Sequence, residues 1–383
     1  MNIQQNKQQT INIRPQLPTL HGLLNLEVTL EKETITSLVP RIGYLHRCFE
    51  KYAEQLTFPQ IIPYVDRTDY TVAMNNEFAY VMGVEQMLGI ADKIPKRVEY
   101  IRVLIAELNR IASHLLSIGS MGMAMDKIAK FSFCFQEREK ILSLFEQASG
   151  ARLLYNYIWI GGLFYDVPLN FEKRCLELAD YFETTLLPNL ERIIREGSFL
   201  EKTVGIGILI LNDALQYGVT GPILRACGLG RDLRKVDNYS IYAELEFGIP
   251  VATGQSGGVL GDTWSRCFIR IAEIQESIHI VKQCVRQLLG SHKRTTDFDP
   301  RGACPKRCRP TAQEYYARSE NPRGELAFFF VTQGNTDIPY RLKVRTPSFS
   351  NLKILPLLAQ KNHIATLPII LASLDLVVGE IDR

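Results

Sequence analysis

Two residues could handle a carbonyl substrate. His21 stands in Leu17-Pro18-Thr19-Leu20-His21-Gly22, at the entry to a run of alternating apolar residues. Tyr70 closes a dense polar stretch, Asp66-Arg67-Thr68-Asp69-Tyr70. Taken singly, each has an ordinary reading: a lone histidine beside a turn is usually structural, and a tyrosine between loop and helix usually packs in a core. Taken together they offer more. Imidazole and phenol both donate to a carbonyl oxygen, and both can carry a proton. That suits a carbonyl substrate that receives its electrons from elsewhere. Spacing alone does not show that the two residues meet.

A second set follows at helical spacing. In Lys96 to Ile118, the residues Ile101, Leu104, Ile105, Leu108, Ile111, Ala112, Leu115 and Leu116 recur every three or four positions. They form one apolar stripe that must be buried. Glu107, Arg110 and His114 run along its border, and Glu107 can pair with Arg110. On composition alone, a bundle helix with a solvated charged edge is the better reading. The sharper one is a polar seam inside the protein, which needs charged partners from other helices.

Other chemistries lack their motifs. HExxH, GxSxG and CxxC are absent, Gly205 and Gly207 lack a third glycine, and no glycine loop leads into Lys and Ser/Thr. The chain is therefore expected to hold neither a nucleotide nor a metal. Of eight cysteines, most lie singly in apolar stretches and read as free core thiols. Cys304 and Cys308 form one C-x-x-x-C, a weak metal signal read as a solvated basic loop. The net charge of +3 and the dispersed basic residues give no argument for nucleic acid.

These residues need a scaffold. A chain of 383 residues with 46% hydrophobic and 22% charged content can bury a large core. The expected class is α+β: a small N-terminal sheet, a large helical bundle and C-terminal strands. Residues 1–10 are expected to be unstructured, and residues 24–38 a hairpin. Helices are expected over 42–55, 75–88, 96–118, 136–148, 171–194 and 262–289. The stretch 58–70 reads as a loop because of its two prolines. The organisation is 1–40 tail and sheet, 41–290 helical body with a glycine-rich region at 203–257, 291–322 linker, and 323–383 strands and tail. The most apolar run, 364–379, contains Pro368 and Asp375 and is too short to span a membrane, which takes roughly 20 apolar residues. The N-terminus has no signal-like apolar core, so a cytoplasmic location is expected.

Ten runs carry a family resemblance: PTLHG (18–22), RIGYLHR (41–47), PYVDRTDY (63–70), EYIRVLIAELNRIASHLL (99–116), EREK (137–140), TGPILRACG (220–228), DLRK (232–235), RGEL (323–326), YRLKVRTPSFSNL (340–352) and SLDLVVGEIDR (373–383). In order and over nearly the whole chain, they resemble the D-type, quinone-site subunit of the proton-pumping NADH:quinone oxidoreductase, respiratory complex I. That family is similar in fold to the large subunit of [NiFe] hydrogenases. Val377 and Glu380 stand where hydrogenases place thiolates, and no cysteine lies in the 66–70 loop, so the resemblance implies a retired metal site reused as a quinone pocket. It implies that His21 and Tyr70 hold the quinone headgroup. It also implies that Arg67 lies near a terminal iron–sulfur cluster carried by a neighbouring subunit. Further implied partners are the other peripheral-arm subunits and a quinone-channel membrane subunit, with the chain peripheral on the cytoplasmic side of the inner membrane.

The chain departs from the family pattern at several points. Leu17 replaces a histidine, and Thr19-Leu20 a Ser-Thr. The acidic partner of the quinone-site histidine falls on Ala124, with Asp126 two residues on, roughly 200° around a helix. Leu154 and Trp159 replace a histidine and an arginine beside the cluster. Losing such donors lowers a cluster potential, so a low-potential quinone such as menaquinone is expected. The segment 291–321 stands in place of a family helix. Two other readings stay open: a structural subunit with degraded chemistry, and the equivalent subunit of a ferredoxin-fed or hydrogenase-related membrane complex.

Overall fold

A computed structural model describes residues 8–13, 20–254, 257–295 and 298–383. The readings made for residues 1–7, Leu17 and Thr19 fall outside them. Strands β1 (Gln8–Ile13), β2 (Asn25–Glu31) and β3 (Thr34–Arg41) form an antiparallel sheet in that order. Leu24, Leu26 and Val28 are fully buried at period two, as the alternation required. β1 is a departure, because residues 8–10 pair with Thr29 to Glu31. It is an edge strand of mostly polar residues, so backbone pairing rather than an apolar pattern holds it.

Two more expectations change here. The helix read over 42–55 contracts to α1 (Phe49–Ala53). The backbone N–H groups of Gly43 and Leu45 instead donate to the Asp382 carboxylate at 2.9 and 2.8 Å, which pins the preceding residues in an irregular path. The proline-bearing stretch begins as a helix, α2 (Phe58–Asp66). Pro59 falls in the first turn, where a missing N–H has no helical partner. Pro63 costs one hydrogen bond, and the buried Phe58, Ile61, Ile62 and Val65 hold the helix in place despite it.

The body follows the helical periodicities. It comprises α3 (Ala73–Leu88), α4 (Lys96–Ala124), α5 (Ile128–Ser149), a minimal hairpin of β4 (Ile158–Trp159) and β5 (Gly162–Leu163), and α6 (Phe171–Tyr181), which passes through a wide turn at 182–186 into α7 (Leu187–Ile194). The glycine-rich region folds as short helices α8 (Gly197–Thr203), α9 (Leu211–Gln216), α10 (Pro222–Ala226) and α11 (Leu233–Val236). α12 (Thr263–Leu289) starts at Asp262, whose carboxylate accepts from Ser265 N at 2.7 Å. α4 is buried along almost its whole length, with α12 and α5 packed on it.

The segment expected as a linker contains β6 (Ala312–Asn321), which pairs with β7 (Gly324–Gln333), itself paired with β8 (Arg341–Arg345). Only the inner end of β6 is buried, so its sequence reads polar. Beyond β8 the C-terminal region forms helices rather than a tail: α13 (Pro347–Leu352), α14 (Leu355–Ala359), α15 (Leu367–Leu374) and α16 (Val378–Asp382), the last wholly buried. Cys48 and Cys304 are exposed, and Cys308 is buried rather than solvated. Among the described residues, no helix is long and apolar enough to cross a membrane.

Candidate functional site

Four segments distant in sequence meet at Arg323, in the two-residue turn between β6 and β7. Its side chain is almost completely buried. Nη1 donates to Asp69 Oδ2 at 2.7 Å and to Thr71 Oγ1 at 2.9 Å, and Nη2 donates to Asp375 Oδ1 at 3.0 Å. Nε donates to the Asp375 carbonyl at 2.7 Å. One guanidinium thus ties the α2–α3 junction to the C-terminal segment after α15. The next residue must be glycine: Gly324 has φ +131°, and a Cβ there would lie 2.4 Å from Thr220 Oγ1.

His21 enters this cluster along the C-terminal segment. It forms a parallel bridge with Val377, and its carbonyl accepts from Val378 N at 2.9 Å. The approach is close, since a Cβ on Gly22 would stand 2.8 Å from both Leu45 Cδ1 and Val378 Cβ. His21 Nε2 is buried and has no hydrogen-bond partner among the described residues. Burial, and then the Arg323 charge, lower the imidazole pKa, so the ring is neutral at pH 7. Tyr70 is half-buried within the α2–α3 junction. Burial and the neighbouring Asp69 raise its phenol pKa, so it keeps its proton. The structure therefore places both residues within electrostatic reach of Arg323 and Asp69.

Glu380 completes the cluster. It is 1% exposed, and its Oε1 accepts from Ser348 N at 3.0 Å. Burial and the Asp69 charge push its pKa up to about 8, so this carboxyl is mostly protonated at neutral pH. Val377 is fully buried beside it. Among the described residues, no group of three or more His, Cys, Asp or Glu is arranged to hold a metal ion.

The other sequence candidates lie further out. Arg67 caps α2, is exposed, and donates to the Pro63 carbonyl. With Arg47, Tyr64, Thr68, Gly379 and Arg383 it lines a cavity of about 130 Å³. Asp126 is exposed past the end of α4, with φ +58°. The carboxylates whose fields reach His21 are Asp375 and Asp69. Leu154 sits in a left-handed turn, and Trp159 is in β4, where its carbonyl accepts from Arg102 Nη2 at 3.0 Å.

The charges on α4 form an internal seam, not a solvated edge. Glu107, Arg110 and His114 have no exposure. Glu107 accepts from Arg234 Nη1 (3.1 Å), Arg110 Nε (3.2 Å), Tyr242 Oη (2.7 Å) and Ser277 Oγ (2.7 Å). Arg225 binds Glu273 at 2.8 Å and Glu320 at 2.7 Å, and His114 Nε2 lies 3.0 Å from Glu273. Every acid in this seam has an arginine partner, the condition under which buried charge is retained.

Residues 125–383 match the family model described as respiratory-chain NADH dehydrogenase, 49 kDa subunit. The chain belongs to that family. It is 54% identical over 373 residues to a protein of Cytophaga hutchinsonii that is named as a D-type subunit of NADH-quinone oxidoreductase, covering 97% of this chain and 95% of that one. Identity to the protein of the same name from Amoebophilus asiaticus is 52%, covering 97% and 92%, and to that from Chlorobium luteolum 48%, covering 98% and 94%. The mixed α+β architecture agrees with this membership.

The reading of single residues missed Arg323, Asp69 and Asp375 as the centre of the site. One signal was available: Asp375 is the lone charge in Leu371 to Gly379, and a charge in such a run needs a buried partner.

Proposed function

We propose that this chain forms the quinone-reduction pocket of a proton-pumping NADH:quinone oxidoreductase, with His21 and Tyr70 as the headgroup contacts. The observation that carries this reading is the unpartnered, buried His21 Nε2, in reach of the same ion cluster as Tyr70. Leaving such an atom unsatisfied costs about 1–3 kcal/mol, and a carbonyl oxygen would satisfy it.

The reaction adds two electrons and two protons to a quinone, giving a quinol. The electrons would come from an iron–sulfur cluster in a neighbouring subunit, on the side that Arg67 faces. A neutral His21 with hydrogen on Nε2 donates to one carbonyl oxygen, and the Tyr70 hydroxyl donates to the other. As negative charge grows on those oxygens, both donors stabilise it, and the two protons of the quinol are drawn from water through these groups, which end as a neutral imidazole and a neutral phenol again. Arg323 adds positive charge nearby, and Asp69 and Asp375 fix its position.

In this reading the chain is inactive alone. Its partners are the cluster-bearing subunit, the other peripheral-arm subunits and a quinone-channel membrane subunit, and it sits peripherally on the cytoplasmic side of the inner membrane. The hydrogenase-like origin and a low-potential quinone such as menaquinone are part of the same proposal. Leu154 and Ala124 favour a second reading, a structural subunit whose chemistry has decayed. A ferredoxin-fed complex differs only in the donor, which this chain does not touch.

Tyr70→Phe in the intact complex separates these readings. The variant removes one hydroxyl, so assembly and reduction of an artificial acceptor should persist. Quinone reduction should fall about a hundredfold or more. Normal quinone turnover would rule out the assigned role of Tyr70.

A further inference from the structure

Outside the pocket, two carboxyls face each other in the core. Asp66 ends α2 and Glu77 lies on α3, and neither has any exposure. Both turn one oxygen to the backbone before and at the start of β4. Asp66 Oδ2 accepts from Asn156 N at 3.1 Å. Glu77 Oε2 accepts from Tyr157 N at 3.0 Å and Ile158 N at 2.7 Å. The remaining oxygens, Asp66 Oδ1 and Glu77 Oε1, are buried, and neither has a donor among the described residues. The two side chains thus converge on three consecutive backbone N–H groups, each with one orphan oxygen left over.

Two ionised carboxylates cannot rest in that arrangement. At about 4 Å and an effective dielectric near 20, their repulsion is on the order of 4 kcal/mol, before the cost of removing each from water. One proton resolves it, because an O–H on one oxygen donates to the other and satisfies both atoms. The surrounding charges permit a net charge of −1. Arg67, next in the chain, is the cation acting on Asp66, while the phenols of Tyr155 and Tyr157 stand nearby and Arg138 and Arg152 act on Tyr155. Burial first, and for Glu77 then the Asp66 charge, hold both carboxyls above their ordinary range, with Asp66 at about 6.

We propose that Asp66 and Glu77 form a single-proton binding site, distinct from the His21–Tyr70 pocket, that clamps the Asn156–Ile158 backbone to α2 and α3. When the proton leaves, the carboxylates repel and the clamp loosens. The site lies one residue from Arg67 and four from Tyr70, so its charge state bears on the face that Arg67 presents. It stands whether or not the pocket takes a quinone.

Infrared difference spectroscopy of the intact complex between low and high pH tests this. The wild type should show, besides the band of Glu380, a buried carboxylic-acid C=O band of the Asp66–Glu77 pair lost as pH rises. That band should be missing from both Asp66→Asn and Glu77→Gln, whose amides supply the N–H donor without a titrating proton. A band unchanged in both variants overturns the proposal. If the variants do not assemble, hydrogen–deuterium exchange on the wild-type complex decides. After correction for intrinsic rates, protection of the Tyr157 and Ile158 amides should fall as pH rises through the band's midpoint. Constant protection would also overturn the proposal.

Discussion

Arg323→Met removes the guanidinium and keeps much of the side-chain volume. Asp69 then loses the 2.7 Å bond to Nη1 and Asp375 the 3.0 Å bond to Nη2, while the Asp375 carbonyl loses the 2.7 Å bond to Nε. Asp69 keeps Thr71 as a donor, at 2.6 Å from Oγ1. Among the described residues, Asp375 keeps only the Arg270 side chain, whose Nε is 4.0 Å away. Breaking a buried ion pair by removing one partner costs about 3–5 kcal/mol, a large share of a typical 5–15 kcal/mol total. The loss is local, because the bonds join the α2–α3 junction to residues 375–378. Hydrogen exchange in the intact complex therefore reads it directly. At about 1.4 kcal/mol per factor of ten, protection of the 69–72 and 375–378 amides should drop by two to three and a half orders of magnitude. Arg323→Lys, which keeps the charge, should fall between the variant and the wild type. A drop below tenfold in Arg323→Met would refute the assignment of Arg323 as the tie between these segments.

Two further outcomes are expected. Glu380 keeps its proton to about pH 8 in the folded chain, against an ordinary 4.5. Its contribution to stability is thus complete below pH 4.5 and is lost as pH rises through about 8; Glu380→Gln should remove that loss, so thermal unfolding of the complex at pH 9 should favour the variant and at pH 4 should not. Glu107→Leu strips five hydrogen bonds, from four donor groups, out of the seam and leaves Arg110 and Arg234 without it. It should destabilise the bundle by about 3–5 kcal/mol, seen as lost accumulation of the assembled complex, and normal accumulation would count against the seam.

Legibility from sequence followed the strength of the local signal. α4 and α12 were readable because each presents an apolar stripe against neighbours on several sides. α2 was not, because Pro59 and Pro63 speak for a loop, whereas Pro59 sits where a helix tolerates it and tertiary burial supports Pro63. β1 and β6 were hidden by polar composition, since an edge strand needs no apolar face along its whole length. α16 carries β-branched residues that suggest a strand, and its burial against α13 decides otherwise. At the site, His21 and Tyr70 could be nominated by residue chemistry, and the family resemblance gave them roles. Their meeting around Arg323 was not readable, because it depends on contacts between residues 52 to 254 positions apart. The seam shows the same limit: Glu107 and Arg110 were visible as a pair, but the partners Arg234 and Ser277 are 127 and 170 positions away.

The central claim is tested most directly by an experimental structure of the assembled complex with a short-chain quinone bound. One headgroup oxygen is expected within hydrogen-bonding distance of His21 Nε2 and the other within that distance of Tyr70 Oη. A headgroup bound elsewhere, with His21 Nε2 satisfied by a protein group, would contradict the account.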